Sequence, residues 1–93
     1  AGIFNFKATV SESQKHAFFV ALKALEEISG VEKMEVSRQT SSKNKFKYEF
    51  SMEFASNEVY QAYSIHPQHD AFVNDYFIPL VEDFIEIDTE KLM

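Results

Sequence analysis

The stretch Lys45-Phe-Lys-Tyr-Glu-Phe-Ser-Met-Glu-Phe54 alternates without a fault: Phe46, Tyr48, Phe50, Met52 and Phe54 fall on one side, Lys45, Lys47, Glu49, Ser51 and Glu53 on the other. Side chains of an extended chain point to opposite faces with a period of two, so this pattern predicts a strand with one dry and one wet face. Working outward, residues 39–45 are polar and form a connection. Residues 31–38, where Met34 and Val36 alternate with Lys33, Glu35 and Ser37, read as a second strand. Before it, Phe18, Ala21, Leu22, Leu25 and Ile28 recur at helical spacing behind a Ser11-Glu-Ser-Gln14 capping box. That predicts an amphipathic helix of about 18 residues, ended by Gly30. Residues 3–9 begin with Ile-Phe-Asn-Phe and read as an opening strand. Downstream, Ser56 caps a short helix over residues 58–64 and Pro67 starts another reaching Phe77. Pro79 breaks that helix, and residues 80–88 supply a last strand.

The order β-α-β-β-α-β fits a single α+β domain over residues 1–93, a ferredoxin-like sandwich with a four-stranded antiparallel sheet and helices on one face. The first and last strands carry apolar residues on both faces, Ile3 opposing Phe4 and Phe6, and Phe84 opposing Ile85 and Ile87. Something must cover the helix-free face, and a second copy of the chain is the expected partner, giving a homodimer.

Composition narrows the function. With 93 residues the chain buries only roughly 60 to 65% of its unfolded surface, and its ten Phe and four Tyr supply the density such a core needs. There is no Cys, which removes thiolate metal sites and thiol catalysis, and two Gly leave no glycine-rich phosphate cradle. No cofactor or metal is expected. The net charge of -6 is split unevenly: residues 1–47 hold eight Lys/Arg against five acids, while residues 48–93 hold only Lys91 against ten acids. Such a balance argues against a nucleic-acid partner. Opposite patches, Lys43, Lys45 and Lys47 against Glu82, Asp83, Glu86 and Asp88, suit a match across a two-fold axis. No apolar run reaches membrane-spanning length, so a cytoplasmic protein with no membrane partner is expected. The sequence starts at Ala1 and not Met, which leaves room for a removed export signal.

One heptapeptide gathers the chemistry: Tyr63-Ser-Ile-His66-Pro67-Gln-His69. His69 falls in the first turn of the helix that Pro67 starts, where the positive end of the helix dipole disfavours imidazolium, so a neutral, proton-accepting ring is expected. Tyr63, across the bend, is a phenol suited to polarising a carbonyl or steadying an enolate oxygen. His66, directly before a proline, reads first as a backbone cap. His16, beside Lys15, reads as solvated, and Tyr48 carries a hydroxyl that needs a partner if buried.

Here the chain resembles a known family, the stress-responsive α/β-barrel (Dabb) domain of the dimeric α+β barrel superfamily. Ile3-Phe-Asn-Phe-Lys7 resembles its opening strand and Gly30-Val-Glu-Lys-Met-Glu-Val-Ser-Arg38 its second. Tyr63-x-x-His66-Pro67-x-His69-x-x-Phe72 with Pro79-Leu-Val-Glu-Asp83 resembles its most recognisable stretch. The resemblance implies a homodimer whose two sheets form a barrel, with a small pocket between sheet and helices in each subunit. The expected pocket gathers Tyr48, His66, Phe72, Phe4 and Phe6 around His69 and Tyr63, and takes a small apolar or polyketide-like ligand.

Plant members that cyclise linear polyketides are similar in carrying a Tyr and a His at the positions of Tyr63 and His69, where the pair assists an intramolecular aldol condensation. Carried over, His69 is the base and Tyr63 the oxyanion donor. Two departures stand out: the family usually has a His just before the residue matching Ala1, and Tyr48 stands where the cyclising relatives carry another pocket His. Three readings therefore compete: a ligand-binding stress-response domain, a cofactor-independent cyclase or lyase acting on a β-keto substrate, and a non-catalytic structural stress protein whose histidines fix the bend.

Overall fold

In the computed structural model, which describes residues 1–93, the elements run β1 (Gly2–Phe6), α1 (Glu12–Lys23), β2 (Glu32–Arg38), β3 (Tyr48–Glu53), α2 (Asn57–Ser64), α3 (Pro67–Phe72) and β4 (Val81–Glu86). The strands make one antiparallel sheet in the order β2-β3-β1-β4, the ferredoxin-like α+β arrangement. Residues directly opposite each other on neighbouring strands share a face. Arg38 faces Tyr48, Val36 faces Phe50, Tyr48 faces Phe4 and Phe4 faces Phe84, so all of these lie on the side where α1 packs. Ile3 pairs with Ile85 on the helix-free side, among Asn5, Asp83, Glu49 and Ser51.

The core is a packed set of rings. Phe4 and Phe18 are wholly sealed from solvent, and the Phe4 centroid lies 5.6 Å from Phe6, 5.4 Å from Phe18 and 5.6 Å from Tyr48. Leu22, Leu25, Ile28 and Met34 complete it from α1, the turns after it and β2. Gly2, on the same face as Phe4, does a job only glycine can do. Phe50 on β3 and Phe84 on β4 lie with parallel planes across β1, their centroids 6.3 Å apart, and a Cβ on Gly2 would meet them at 2.6 and 2.7 Å.

Several boundaries differ from the periodicity, each for a visible reason. β1 stops at Phe6 because residues 8 and 9 turn, with Val10 N–H donating to the Lys7 carbonyl at 3.1 Å. β3 begins at Tyr48, not Lys45, because side chains capture the backbone ahead of it. Asn5 accepts from Lys47 N–H and donates to the Lys45 carbonyl, while Asn44 Oδ1 and Gln39 Nε2 bond the two sides of Phe46. The α-helix ends at Lys23 and tightens to a 3₁₀ turn over Ala24–Glu27, which keeps Glu26 and Glu27 from extending the negative end of an α-helix. Gly30 therefore serves a turn, at φ 95°, and leaves space for Val59 of α2.

Pro79 does not break its helix. After α3 the chain widens into a π-helical stretch, Val73–Phe77, in which Ile78 N–H reaches back to Val73, and then makes a last α-turn, Ile78–Leu80. The wider turn gives room to a proline ring that would otherwise clash with the carbonyl four residues back. β4 is correspondingly shorter, starting at Val81, though Ile87 still exchanges hydrogen bonds with Ala1. Part of the charge asymmetry is consumed within the chain: Lys45 pairs with Asp83 and Lys33 with Glu53, each at 3.5 Å.

Replacing Gly2 by alanine is expected to destabilise the domain by about 1–3 kcal/mol, the cost of overpacking, because two strands hold the colliding rings. Urea denaturation checks this, and an unchanged midpoint would show that Phe50 and Phe84 part freely.

Candidate functional site

The bend between α2 and α3 is built by capping. Ser56 Oγ caps α2 at Val59 N–H, and Ile65 leaves helical geometry at φ -104°, ψ 3°. His66 is then the N-cap of α3, its Nδ1 accepting from Gln68 N–H at 3.0 Å, with Pro67 in the first turn. Gln68 Nε2 donates to the Ala24 carbonyl at 3.1 Å, tying the bend to the end of α1. Held this way, Tyr63 and His69 face each other across the bend, with centroids 4.7 Å apart and planes at 57°.

Tyr63 is buried, and Phe54 and Tyr60 close on it at 5.0 and 6.4 Å. Burial first, then Tyr60 and the Glu86 carboxylate, push its phenol up to about 12. Burial, Glu86 and Asp88 also raise Tyr60. Tyr63 is thus a hydrogen-bond donor throughout the physiological range. His69 Nδ1 is sealed from solvent without any hydrogen-bond partner, since the nearest carboxylate oxygen, on Asp70, stands off at 3.8 Å. A phenol donor and an unused ring nitrogen on neighbouring rings, beside carboxylates, can hold a carbonyl or hydroxyl group and move a proton to or from it.

The other expected pocket residues divide. Phe72 lies one turn past His69 but turns to Phe18 and Tyr76, at 5.3 and 6.1 Å. Phe4 and Phe6 are sealed inside the ring cluster and so fill the core. Tyr48 packs against Phe4, Phe6 and Phe19, at the opposite end of β3 from Phe54. Six residues of extended chain put these ends about 20 Å apart, so Tyr48 does not join Tyr63 and His69. Two shallow, open surface hollows lie elsewhere, and neither touches that pair. One, on α1, is lined by His16, Phe19, Val20, Lys23, Ala24 and Glu26, and the other by Phe19, Val36, Ser37, Arg38 and Tyr48. Nowhere do three His, Asp or Glu side chains converge as metal ligands, and no helix is long and apolar enough to cross a membrane. Nothing local in the sequence marks Glu86 or Arg38 as a site residue. The alternation of β4, which sets Glu86 on the face of Phe84, is the one pattern that points toward the former.

The family model of the stress responsive A/B barrel domain, Dabb, matches residues 2–91. The chain belongs to the Dabb family. A Dabb family protein of Mesorhizobium loti with a ferredoxin-like fold is 41% identical, superposes with a TM-score of 0.91, and is matched over 99% of this chain and 93% of its own. An Arabidopsis thaliana protein shares the fold at 21% identity and TM-score 0.88, over 99% and 92% of the two chains. A dimeric protein of unknown function from Bacteroides fragilis, also ferredoxin-like, does so at 20% identity and TM-score 0.72, over 97% and 91%. No curated protein matches the sequence.

Between about pH 10 and 12, a phenol whose native pKa exceeds its unfolded value of 10.0 keeps its proton only while the Dabb domain stays folded. Its contribution to stability is whole below about pH 10 and is lost as pH rises through about 12. Tyr63→Phe should therefore lose on the order of 2 kcal/mol less than the parent across that interval. Parallel alkaline denaturation curves for the two proteins would refute the burial assigned to the hydroxyl.

Proposed function

We propose that the protein is a homodimeric stress-response Dabb domain that binds a small, largely apolar, uncharged ligand where Tyr63 meets His69. The unpartnered His69 Nδ1 carries this reading. A buried polar atom without a partner costs about 1–3 kcal/mol, and a ligand hydroxyl or carbonyl removes that cost whichever tautomer the ring adopts. Glu86 and Asp88, whose charges reach Tyr60 and Tyr63, disfavour an anion at this end. Phe54 and Tyr60 supply the aromatic wall beside the pair, and His66 holds the bend that brings the pair together.

The homodimer rests on the helix-free face. Ile85 and Ile87 are 47% and 46% exposed in the single chain beside Ile3, an apolar corner that a two-fold partner would bury against its own copy. The Bacteroides fragilis protein of this fold is described as dimeric, which supports the same assembly here. A second reading, a cofactor-independent cyclase acting on a β-keto substrate, is favoured by one observation: a phenol that keeps its proton lies against a free imidazole nitrogen. His69 would take the α-proton while Tyr63 donates to the enolate oxygen.

Light scattering should give twice the 10.8 kDa chain mass, and Ile85→Glu should return it to 10.8 kDa with the fold intact. A monomeric parent would remove the dimer. For the ligand, NMR titration with butyrophenone, a neutral aryl ketone, should shift signals of Tyr63 and His69, and Tyr63→Phe and His69→Ala should each weaken binding roughly tenfold at unchanged melting temperature. Equal affinity in all three proteins would place the ligand elsewhere. Aldol turnover of a linear β-triketone that disappears in His69→Ala selects the enzyme, and its absence in the parent leaves binding alone.

A further inference from the structure

The second hollow lies between α1 and the edge strand β2, and its lining pairs an apolar floor with a single charged group. Phe19 and Tyr48 meet there edge to face, with centroids 5.3 Å apart, and Val36 completes the floor. Arg38, directly opposite Tyr48 in the β2–β3 register, lays its guanidinium 5.8 Å from the centre of the Tyr48 ring. None of the chain's ion pairs involves Arg38, although acidic side chains outnumber basic ones by 15 to 9. Glu35 and Glu49, the nearby carboxylates on β2 and β3, fall on the other face of the sheet. Lys15, one turn before Phe19 on α1, already pairs with Glu12 at 3.2 Å.

We infer that this hollow is a binding site for a small aromatic carboxylate. The ring of the ligand lies on Phe19, Val36 and Tyr48, and its carboxylate takes the planar fork of Arg38, with Ser37 at the rim. A guanidinium is built for such a bidentate contact, and its cation–π approach to the Tyr48 ring keeps it at the mouth of the hollow. The volume, about 200 Å³, falls below the roughly 300–1,000 Å³ of sites for drug-sized molecules and suits a single ring. The site lies at the far end of β3 from Tyr63 and prefers the opposite charge, so it stands or falls independently of the ligand proposed there.

The test is an NMR titration of the full chain with sodium benzoate, with benzamide as the neutral isostere and sodium chloride as the ionic-strength control. Benzoate should saturate at millimolar concentration and move the signals of Phe19, Ser37, Arg38 and Tyr48. Benzamide should bind roughly tenfold more weakly, and Arg38→Gln should lose the same factor for benzoate while leaving benzamide unchanged. Arg38 is exposed on an edge strand, so the variant keeps its fold, which its own spectrum verifies. Equal binding of the two probes, no saturable binding of benzoate, indifference to Arg38→Gln, or shifts centred on Tyr63 and His69 would each overturn the site.

Discussion

Phe4 is the residue around which everything else is arranged. It sits on a central strand, fully enclosed, and its ring meets Phe18 from α1 and Tyr48 and Phe50 from β3, while its ladder partner on β4 is Phe84. In a domain of 93 residues the buried surface is small, and aromatic pairs add roughly 0.5–1.5 kcal/mol each beyond the area they bury. Stability is therefore concentrated in one ring cluster and not spread through a broad core. The demands of that cluster explain Gly2, whose missing side chain allows Phe50 and Phe84 to stack across it.

A filled centre pushes polar chemistry to the ends of the sheet. At one end, past the last residues of β3 and β4, Phe54, Tyr60, Tyr63 and His69 meet under the influence of Glu86 and Asp88. At the other, Tyr48 and Arg38 close the gap between β2 and α1. The pocket expected to unite Tyr48 with Tyr63 and His69 is in effect divided by the rings of Phe4, Phe6 and Phe18. Burial of Tyr63 against those packed surroundings is also what keeps its proton in place.

The sequence made some of this readable and hid the rest for physical reasons. Strand alternation exposes the face of every residue from Tyr48 to Glu53, and the capping signals of Ser11, Ser56 and His66 are local, so elements and bend could be read directly. The meeting of Tyr63 and His69 follows from that bend, because only a few residues separate them. Where the reading failed, non-local groups intervened. Asn5 reaches across some forty positions to take the backbone of Lys45 and Lys47, shortening β3, and no periodicity reports it. Pro79 stays within a helical turn because the π-helical stretch before it makes room for its ring, and no local signal announces that wider turn. Arg38 gains its meaning from standing opposite Tyr48, a matter of register across a loop, and Glu86 gains its from facing a helix that the sequence places well before it.

The uneven charge of the two halves takes a different sense once the strand order is known. With the order β2-β3-β1-β4, the basic first half supplies one edge strand and the acidic second half the other. Between them two ion pairs join the halves, Lys33 with Glu53 and Lys45 with Asp83, so a part of the asymmetry is neutralised within the chain. Among the charges left without an ion pair are Arg38 on the edge strand β2, and Glu86 with Asp88 at the end of the other edge strand, β4. Three strand spacings separate those edges by about 14 Å, well beyond the screening length of about 8 Å at physiological salt, so each edge sets the potential of its own site without correcting the other. One small domain thereby presents an end that repels anions beside Tyr63 and an end that attracts them beside Tyr48. The same ring cluster that stabilises the fold is what keeps the two apart.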